Sequence, residues 1–184
     1  MKFDKLDDWA KRPEEKIKYY SGTATYTKHF NLASLPSNHT FSKLYLGLGE
    51  VHNLARVTLN GRDLGVIWCA PWHVEIPSGL LKKGRNRINI AVVNTWANRL
   101  IGDEQKPDDC ELVNWNSPDD RKGSYDKNIN SRRLKELPEW LINGTPRPQT
   151  GRFTFSTWRF YDKNALLLPS GLIGPVSITA VLEK

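Results

Sequence analysis

A two-residue Asn-Gly turn between two extended segments limits the fold of this chain more than any other feature. Asn60 and Gly61 separate "ARVTL" from "RDLGVIW", and this pair strongly indicates a β-hairpin because both residues tolerate a positive φ. Further along, Ile88, Ile90 and Val92 alternate with other residues in "RINIAVVN", a period of two that is typical of a half-buried strand. Together they favour an antiparallel sheet.

More short strands are predicted by the same alternation and by the turn residues between them. They cover residues 22–30, 41–48, 73–76 and 176–182. A helical period is nearly missing; only residues 134–142 suggest a helix, and Pro138 limits it to a turn or two. Many short strands with turn signals between them predict an all-β fold, an antiparallel β-sandwich.

The length of 184 residues suits a single domain, so we expect residues 1–184 to form one sandwich. Within it, residues 96–153 are polar and carry no convincing strand, which makes this segment far longer than an ordinary loop. Its aromatic residues, Trp96, Trp115, Tyr125 and Trp140 among them, argue against disorder. We therefore predict a long, irregular but ordered insertion.

The net charge of +7 raises the question of a nucleic-acid partner. The densest basic segment, residues 119–135, is diluted by three aspartates and carries no zinc-finger, RNP-type or helix-turn-helix signature. A solvated basic face is the favoured interpretation, and no nucleic-acid partner is expected.

Targeting signals are not expected either. No apolar run approaches the roughly 20 residues that span a bilayer, so we expect no membrane partner. The first 16 residues carry charges throughout and lack the apolar stretch of a signal peptide. The sequence therefore suggests a cytoplasmic protein or a piece of a longer one.

No catalytic residue and no cofactor are predicted. The four histidines have no metal-ligand spacing, the two cysteines make at most one bridge, and no nucleophile or phosphate-binding motif occurs. The acidic residues of "IGDEQKPDDCE" could form an acid/base pair or a structural calcium site, although a solvated acidic loop is favoured. They are Asp103, Glu104, Asp108, Asp109 and Glu111.

Tryptophans near turns are the remaining candidates for a site. Trp68 and Trp72 flank Cys69-Ala70-Pro71; such rings stack on sugars or close the end of a sandwich core. For Trp68 and Trp96, core packing is the favoured interpretation. Asn94, at the end of the predicted strand "RINIAVVN", could supply hydrogen bonds to the hydroxyl groups of a sugar. The residues predicted to contact a carbohydrate or a neighbouring domain are Trp72, Trp96, Asn98, Arg99, Asp103 and Trp115.

Four segments in order, "YYSGTATYTKHF", "VTLNGRDLGVIWCAPWHVEI", "LLKKGRNRINIAVVNTWANRLIGDE" and "LLPSGLIGPVSI", carry a family resemblance. The chain resembles the C-terminal β-sandwich of glycoside hydrolase family 106 α-L-rhamnosidases. It is also similar to the jelly-roll, galactose-binding-domain-like "sugar-binding" domain of family 2 glycosidases. The resemblance spans about residues 6–182, and "NRLIGDE" and "PSGLIGPV" are its most specific parts.

The resemblance implies a large periplasmic or extracellular bacterial enzyme whose catalytic domain is the partner of this segment. The segment itself would then be a non-catalytic accessory sandwich. Two roles stay open at this point: bracing the catalytic domain, and binding carbohydrate as an autonomous module. A basic nucleic-acid-binding domain is the third and least favoured alternative.

Overall fold

The computed structural model of the chain describes residues 2–34, 43–114 and 132–181. The predicted strand start at residues 41–42, and both Trp115 and Tyr125, lie outside the described residues. The strands are β1 (Thr23–Leu32), β2 (Lys43–Gly47), β3 (Glu50–His52), β4 (Leu54–Leu59), β5 (Arg62–Ile67), β6 (His73–Ile76), β7 (Gly84–Val93), β8 (Leu112–Asn114), β9 (Arg132–Leu134), β10 (Gly171–Gly174) and β11 (Ser177–Val181). The helices are α1 (Glu15–Lys18), α2 (Ala97–Asp103) and α3 (Glu139–Ile142), with a 3₁₀ turn at Trp9–Lys11.

The chain divides into two compact units. Unit 1 comprises Met1–Pro13, Ser21–Thr95 and Pro169–Lys184, and unit 2 comprises Glu14–Tyr20 and Trp96–Leu168. No helix of the described part of the chain is long and apolar enough to cross a bilayer.

Unit 1 is an antiparallel β-sandwich, as predicted. Its large sheet has the strand order β1-β7-β4-β5, and a three-stranded sheet β11-β2-β6 and the pair β10-β3 complete it. On β7 the alternation places Ile88, Ile90 and Val92 inside, with at most 5% of each residue exposed. Leu46 of β2 and Val51 of β3 are buried as well, so the core lies between the sheets.

The predicted hairpin is confirmed. Asn60 and Gly61 both have a positive φ, of 49° and 86°, and they join β4 to β5 in the two-residue turn whose twist suits paired strands. The Asn60 amide also donates to the carbonyl of Leu80 at 2.8 Å and to Asn86 Oδ1 at 2.8 Å. The turn thereby holds a second loop as well as its own strands.

The "PSGLIGPV" segment has a structural task in unit 1. Gly171 leaves room for the indole of Trp9, which a Cβ at residue 171 would overlap. That indole donates through Nε1 to the hydroxyl of Tyr26 at 2.5 Å, and burial raises the pKa of this phenol. The backbone nitrogen of Ser170 donates to Asp8 at 2.9 Å, so this segment and residues 8–9 fix each other.

One local prediction in unit 1 is wrong, since Trp68 is 72% exposed rather than packed in the core. The helical turn predicted within residues 134–142 is confirmed as Glu139–Ile142, directly after Pro138, and Leu134 pairs as a strand residue in β9. Most described residues of the segment 96–153 belong to no helix or strand, as predicted, but helix α2 and the β8-β9 pair also lie in it.

Candidate functional site

Helix α2 positions most of the residues that the sequence singled out. Its sequence "ANRLIGD" buries Ala97 and Ile101, which lie four apart and therefore share one face of the helix. Gly102 is needed in this helix because a Cβ at residue 102 would overlap the side chain of Tyr19. The helix is thereby held in one orientation within unit 2.

Asn98 is used inside the protein. Only 1% of the residue is exposed, and its amide binds both polar groups of one backbone position. Nδ2 donates to the carbonyl of Leu168 at 2.7 Å, and Oδ1 accepts from the nitrogen of Leu168 at 2.8 Å. These two bonds of Asn98 are structural, and its contact with a ligand or domain stays a prediction.

Asp103 organises the segment that follows residue 151. Its carboxylate, 1% exposed as a residue, accepts from the backbone nitrogens of Phe153 and Thr154 at 3.1 and 2.7 Å. It also accepts from the Thr154 hydroxyl at 2.6 Å and pairs with Arg99 at 2.8 Å. A buried carboxylate needs such donors, and the interpretation of this residue as part of a solvated acidic loop is wrong.

Arg147 binds the backbone carbonyls of the two residues whose backbone nitrogens Asp103 binds. It donates to the carbonyls of Phe153 and Thr154 at 3.3 and 2.6 Å, and its Nε donates to Asp109 at 2.5 Å. Residues 153 and 154 belong to no strand or helix, yet both their donors and their acceptors are bound, as partly buried backbone requires.

The outcome is an exposed aromatic surface, which we call the Arg99 platform and define as Trp96, Arg99 and Phe153. The guanidinium of Arg99 lies 4.7 Å from the centre of the Phe153 ring. Trp96 precedes Arg99 by three residues, and its carbonyl accepts the Leu100 nitrogen at 3.0 Å, so both side chains share a helix face. Trp96 is 71% and Phe153 74% exposed; core packing for Trp96 is therefore wrong.

A cluster of two arginines and two carboxylates lies at the end of α2. Arg152 and Arg159 each bind both Glu104 and Asp108. Although burial alone would lower it, the hydrogen bonds to Glu104 and Asp108 raise the pKa of Arg159. The guanidinium groups lie between the two carboxylates. In a glycosidase, the space between the two catalytic carboxylates holds the scissile bond of the substrate.

A pocket beside this cluster is lined by Leu100, Cys110, Trp158, Phe160 and other residues of unit 2. Burial, followed by the nearby charge of Asp109, raises the pKa of the Cys110 thiol. A thiol of this kind stays protonated, and the thiolate is the reactive form. Cys110 and the exposed Cys69 are both free.

The structure brings together Trp96, Arg99 and Asp103, to which it adds Phe153 and Thr154. Trp72 belongs to unit 1, is half-buried, and accepts the Leu48 nitrogen at 2.7 Å through its carbonyl. Asn94 is 7% exposed, and its Oδ1 accepts from the Gly22 nitrogen at 3.0 Å. Trp115 lies outside the described residues, so its role, like that of Trp72, stays a prediction.

Sequence reasoning missed the arginines that bind the acidic residues. Arg147, Arg152 and Arg159 lie about 40 to 55 residues after their carboxylate partners, so no short spacing relates them. The segment of residues 96–168 carries nearly equal numbers of acidic and basic residues. This balance was the available signal for ion pairs, because buried charges must be paired.

No group of three or more His, Cys, Asp or Glu residues within 2–34, 43–114 and 132–181 could hold a metal ion. The carboxylates considered for calcium instead contact cations, and Glu111 pairs with Lys135 at 2.9 Å. A structural calcium ion stays a prediction without a position.

Comparison with known proteins relates the chain to glycoside hydrolases. No protein-family model matches it. A protein of Formosa agariphila, named as a candidate β-glucuronidase, is 41% identical over 186 residues, which cover 100% of this chain and 14% of that protein. The solved rhamnosidase of Novosphingobium sp. PP1Y matches with a TM-score of 0.63 and 31% identity, over 94% of this chain and 12% of that one.

The chain therefore spans only 12–14% of the length of these two relatives. The predicted relationship to glycoside hydrolases is confirmed, without assignment to a particular glycoside hydrolase family. Membership of family 106 and a galactose-binding-like jelly roll stay predictions.

Proposed function

We propose that this chain is a non-catalytic accessory β-sandwich of a larger, α-L-rhamnosidase-like bacterial glycoside hydrolase, where it braces the catalytic domain. The enzyme would act in the periplasm or outside the cell, as the family resemblance implies. The observation that carries the proposal is the Arg99 platform, in which the exposed Phe153 ring packs on the Arg99 guanidinium and the exposed Trp96 lies three residues before Arg99, at the start of α2.

Exposed apolar surface supports bracing because single domains rarely leave such patches uncovered. Unit 2 exposes further large apolar side chains among its described residues. These include Leu137, Leu141, Ile142, Phe160 and Leu166. Domain interfaces are enriched in aromatic residues and arginine, which is the composition of the Arg99 platform.

A non-catalytic role is supported by the state of the acidic residues. Glu104 and Asp108 are joined by two arginines, and Asp103 accepts hydrogen bonds from three donors of residues 153 and 154. Asp109 is bound by Arg147 at 2.5 Å. A general acid and base need access to the glycosidic oxygen and to water, and these carboxylates are occupied.

We expect the 184-residue chain to release no nitrophenol from aryl α-L-rhamnosides or aryl β-glucuronides. The reason is the occupied state of its paired carboxylates. Absorbance assays with concentrated protein provide the measurement. Turnover that copurifies with the chain, and is abolished by Glu104→Gln or Asp108→Asn, would contradict the proposal.

In the longer polypeptide, we expect the double variant Trp96→Ser and Phe153→Ser to weaken domain docking. Loss of two buried aromatic contacts costs a few kcal/mol, at about 25 cal/mol per Å² of apolar area. Catalytic activity should therefore be lost at a temperature several degrees lower in thermal-inactivation assays.

Trp68→Ser is the matched control, because Trp68 is 72% exposed against 71% for Trp96 but lies in unit 1 outside the platform. It should leave the inactivation temperature unchanged. If both variants lower the inactivation temperature equally, the Arg99 platform is not part of the docking surface. Saturable binding of rhamnose or glucuronic acid by the isolated chain, at or below about 100 μM, would instead favour an autonomous carbohydrate-binding module.

A further inference from the structure

One end of the large sheet in unit 1 is built around two asparagine side chains. Asn86 is 1% exposed; its Oδ1 accepts from Asn60 Nδ2 and from the Lys82 nitrogen at 2.8 and 3.0 Å. Its own amide nitrogen donates to the carbonyls of Lys82 and Gly84 at 2.7 and 3.0 Å. These bonds fix the loop before β7 against the β4-β5 turn.

This support displays a concentration of positive charge, which we call the basic end. It consists of four exposed residues on this loop and on the start of β7, which are Lys82, Lys83, Arg85 and Arg87. Arg85 and Arg87 lie two apart on β7 and so point to the same face of the sheet, where His29 of β1 stands opposite Arg87.

The three stretches that form this end carry no carboxylate of their own. Residues 27–34, 58–62 and 77–89 contain no Asp or Glu. The carboxylate next in sequence, Asp63, is bound by Arg56 at 2.5 Å, and this hydrogen bond lowers its pKa. Unit 1 as a whole holds about half of the basic residues of the chain but only about a third of the acidic ones.

We propose that the basic end binds a linear acidic polysaccharide, whose carboxylate or sulfate groups pair with its arginines and lysines. Guanidinium groups bind such oxyanions through two parallel hydrogen bonds. Nucleic acid is the less suited polyanion, because single strands are held by stacking on aromatic rings. No exposed position of the three stretches carries Phe, Tyr or Trp, and the one exposed aromatic ring is the imidazole of His29. The choice of a glycan also rests on the proposed function.

The test measures binding of the whole chain to polygalacturonate and to dextran sulfate, with dextran and poly(dT) as comparisons. Calorimetry at about 50 mM salt keeps exposed charges only partly screened. The variant replaces Lys82, Lys83, Arg85 and Arg87 by glutamine. The matched control replaces four exposed lysines elsewhere by glutamine, which are Lys5, Lys11, Lys16 and Lys163.

The basic-end variant should bind the acidic glycan about tenfold more weakly, whereas the control of equal net charge should change by less than about twofold. Polygalacturonate against dextran sulfate distinguishes a carboxylate from a sulfate ligand. Should the fourfold variant not fold, the pairs Lys82/Lys83 and Arg85/Arg87 are changed separately, each with an expected loss of about threefold.

Equal losses in the variant and its control would overturn the proposal, because net charge rather than the basic end would then be responsible. So would tighter binding of poly(dT) than of both acidic glycans, or undetectable binding of both. These measurements use the chain alone, so they are independent of the bracing role, which is tested in the longer polypeptide.

Discussion

Gly49→Ala is expected to lower the free energy of unfolding by about 3 kcal/mol or more, enough to leave much of the chain unfolded. Gly49 has a φ of +70°, where a side chain is strained, and a Cβ there would overlap the backbone carbonyl of Gly174. Neither backbone can move freely, because Gly174 pairs with β3 through Glu50. Urea unfolding followed by circular dichroism measures the change.

Gly79→Ala is the matched control. Gly79 has nearly the same φ, +75°, but nothing lies within 4 Å of a Cβ built there. Only the cost of the left-handed backbone remains, about 1–2 kcal/mol. If Gly49→Ala costs no more than Gly79→Ala, close backbone packing at residue 49 contributes nothing to stability.

The second large effect is expected for Asp103→Ala, a loss of about 3–5 kcal/mol. The change leaves Arg99 without its ion-pair partner in a half-buried position, together with the backbone nitrogens of residues 153 and 154. Breaking a buried charge pair from one side costs this much. Asp103→Asn, which keeps an oxygen acceptor, should lose less.

Asp63→Ala serves as the control for Asp103→Ala. Asp63 also accepts from an arginine and from a backbone nitrogen, those of Arg56 and Gly65, but this pair is exposed to solvent. Exposed ion pairs contribute little, so urea unfolding of Asp63→Ala should resemble that of the parent chain. Similar losses at Asp63 and Asp103 would contradict a special role for burial.

The strands could be predicted because their signals are local. Asn60-Gly61 determines its own turn, and the alternation of Ile88, Ile90 and Val92 depends only on the two faces of β7. Trp68 was misplaced because a large aromatic beside a turn suits a core end and an exposed surface equally well. Its exposure of 72% depends on where the sheet ends, which its neighbours in sequence do not specify.

The candidate site was predicted only in part for the same reason. Arg99 and Asp103 lie four residues apart on α2 and could be selected together. Phe153 is 50 residues beyond Asp103, and only the folded chain brings its ring to Arg99. Short helix α2 itself escaped prediction because buried Asn98 and Asp103 interrupt its apolar face.

The way in which residues 153 and 154 are bound has a consequence for protein engineering. Their peptide groups are fixed by Asp103 and Arg147, and neither bond involves the side chain of residue 153. The backbone path there should therefore tolerate most substitutions of Phe153. A library at this one position would vary the chemistry of an exposed surface on a constant frame, and domains with altered partner preference could be selected from it.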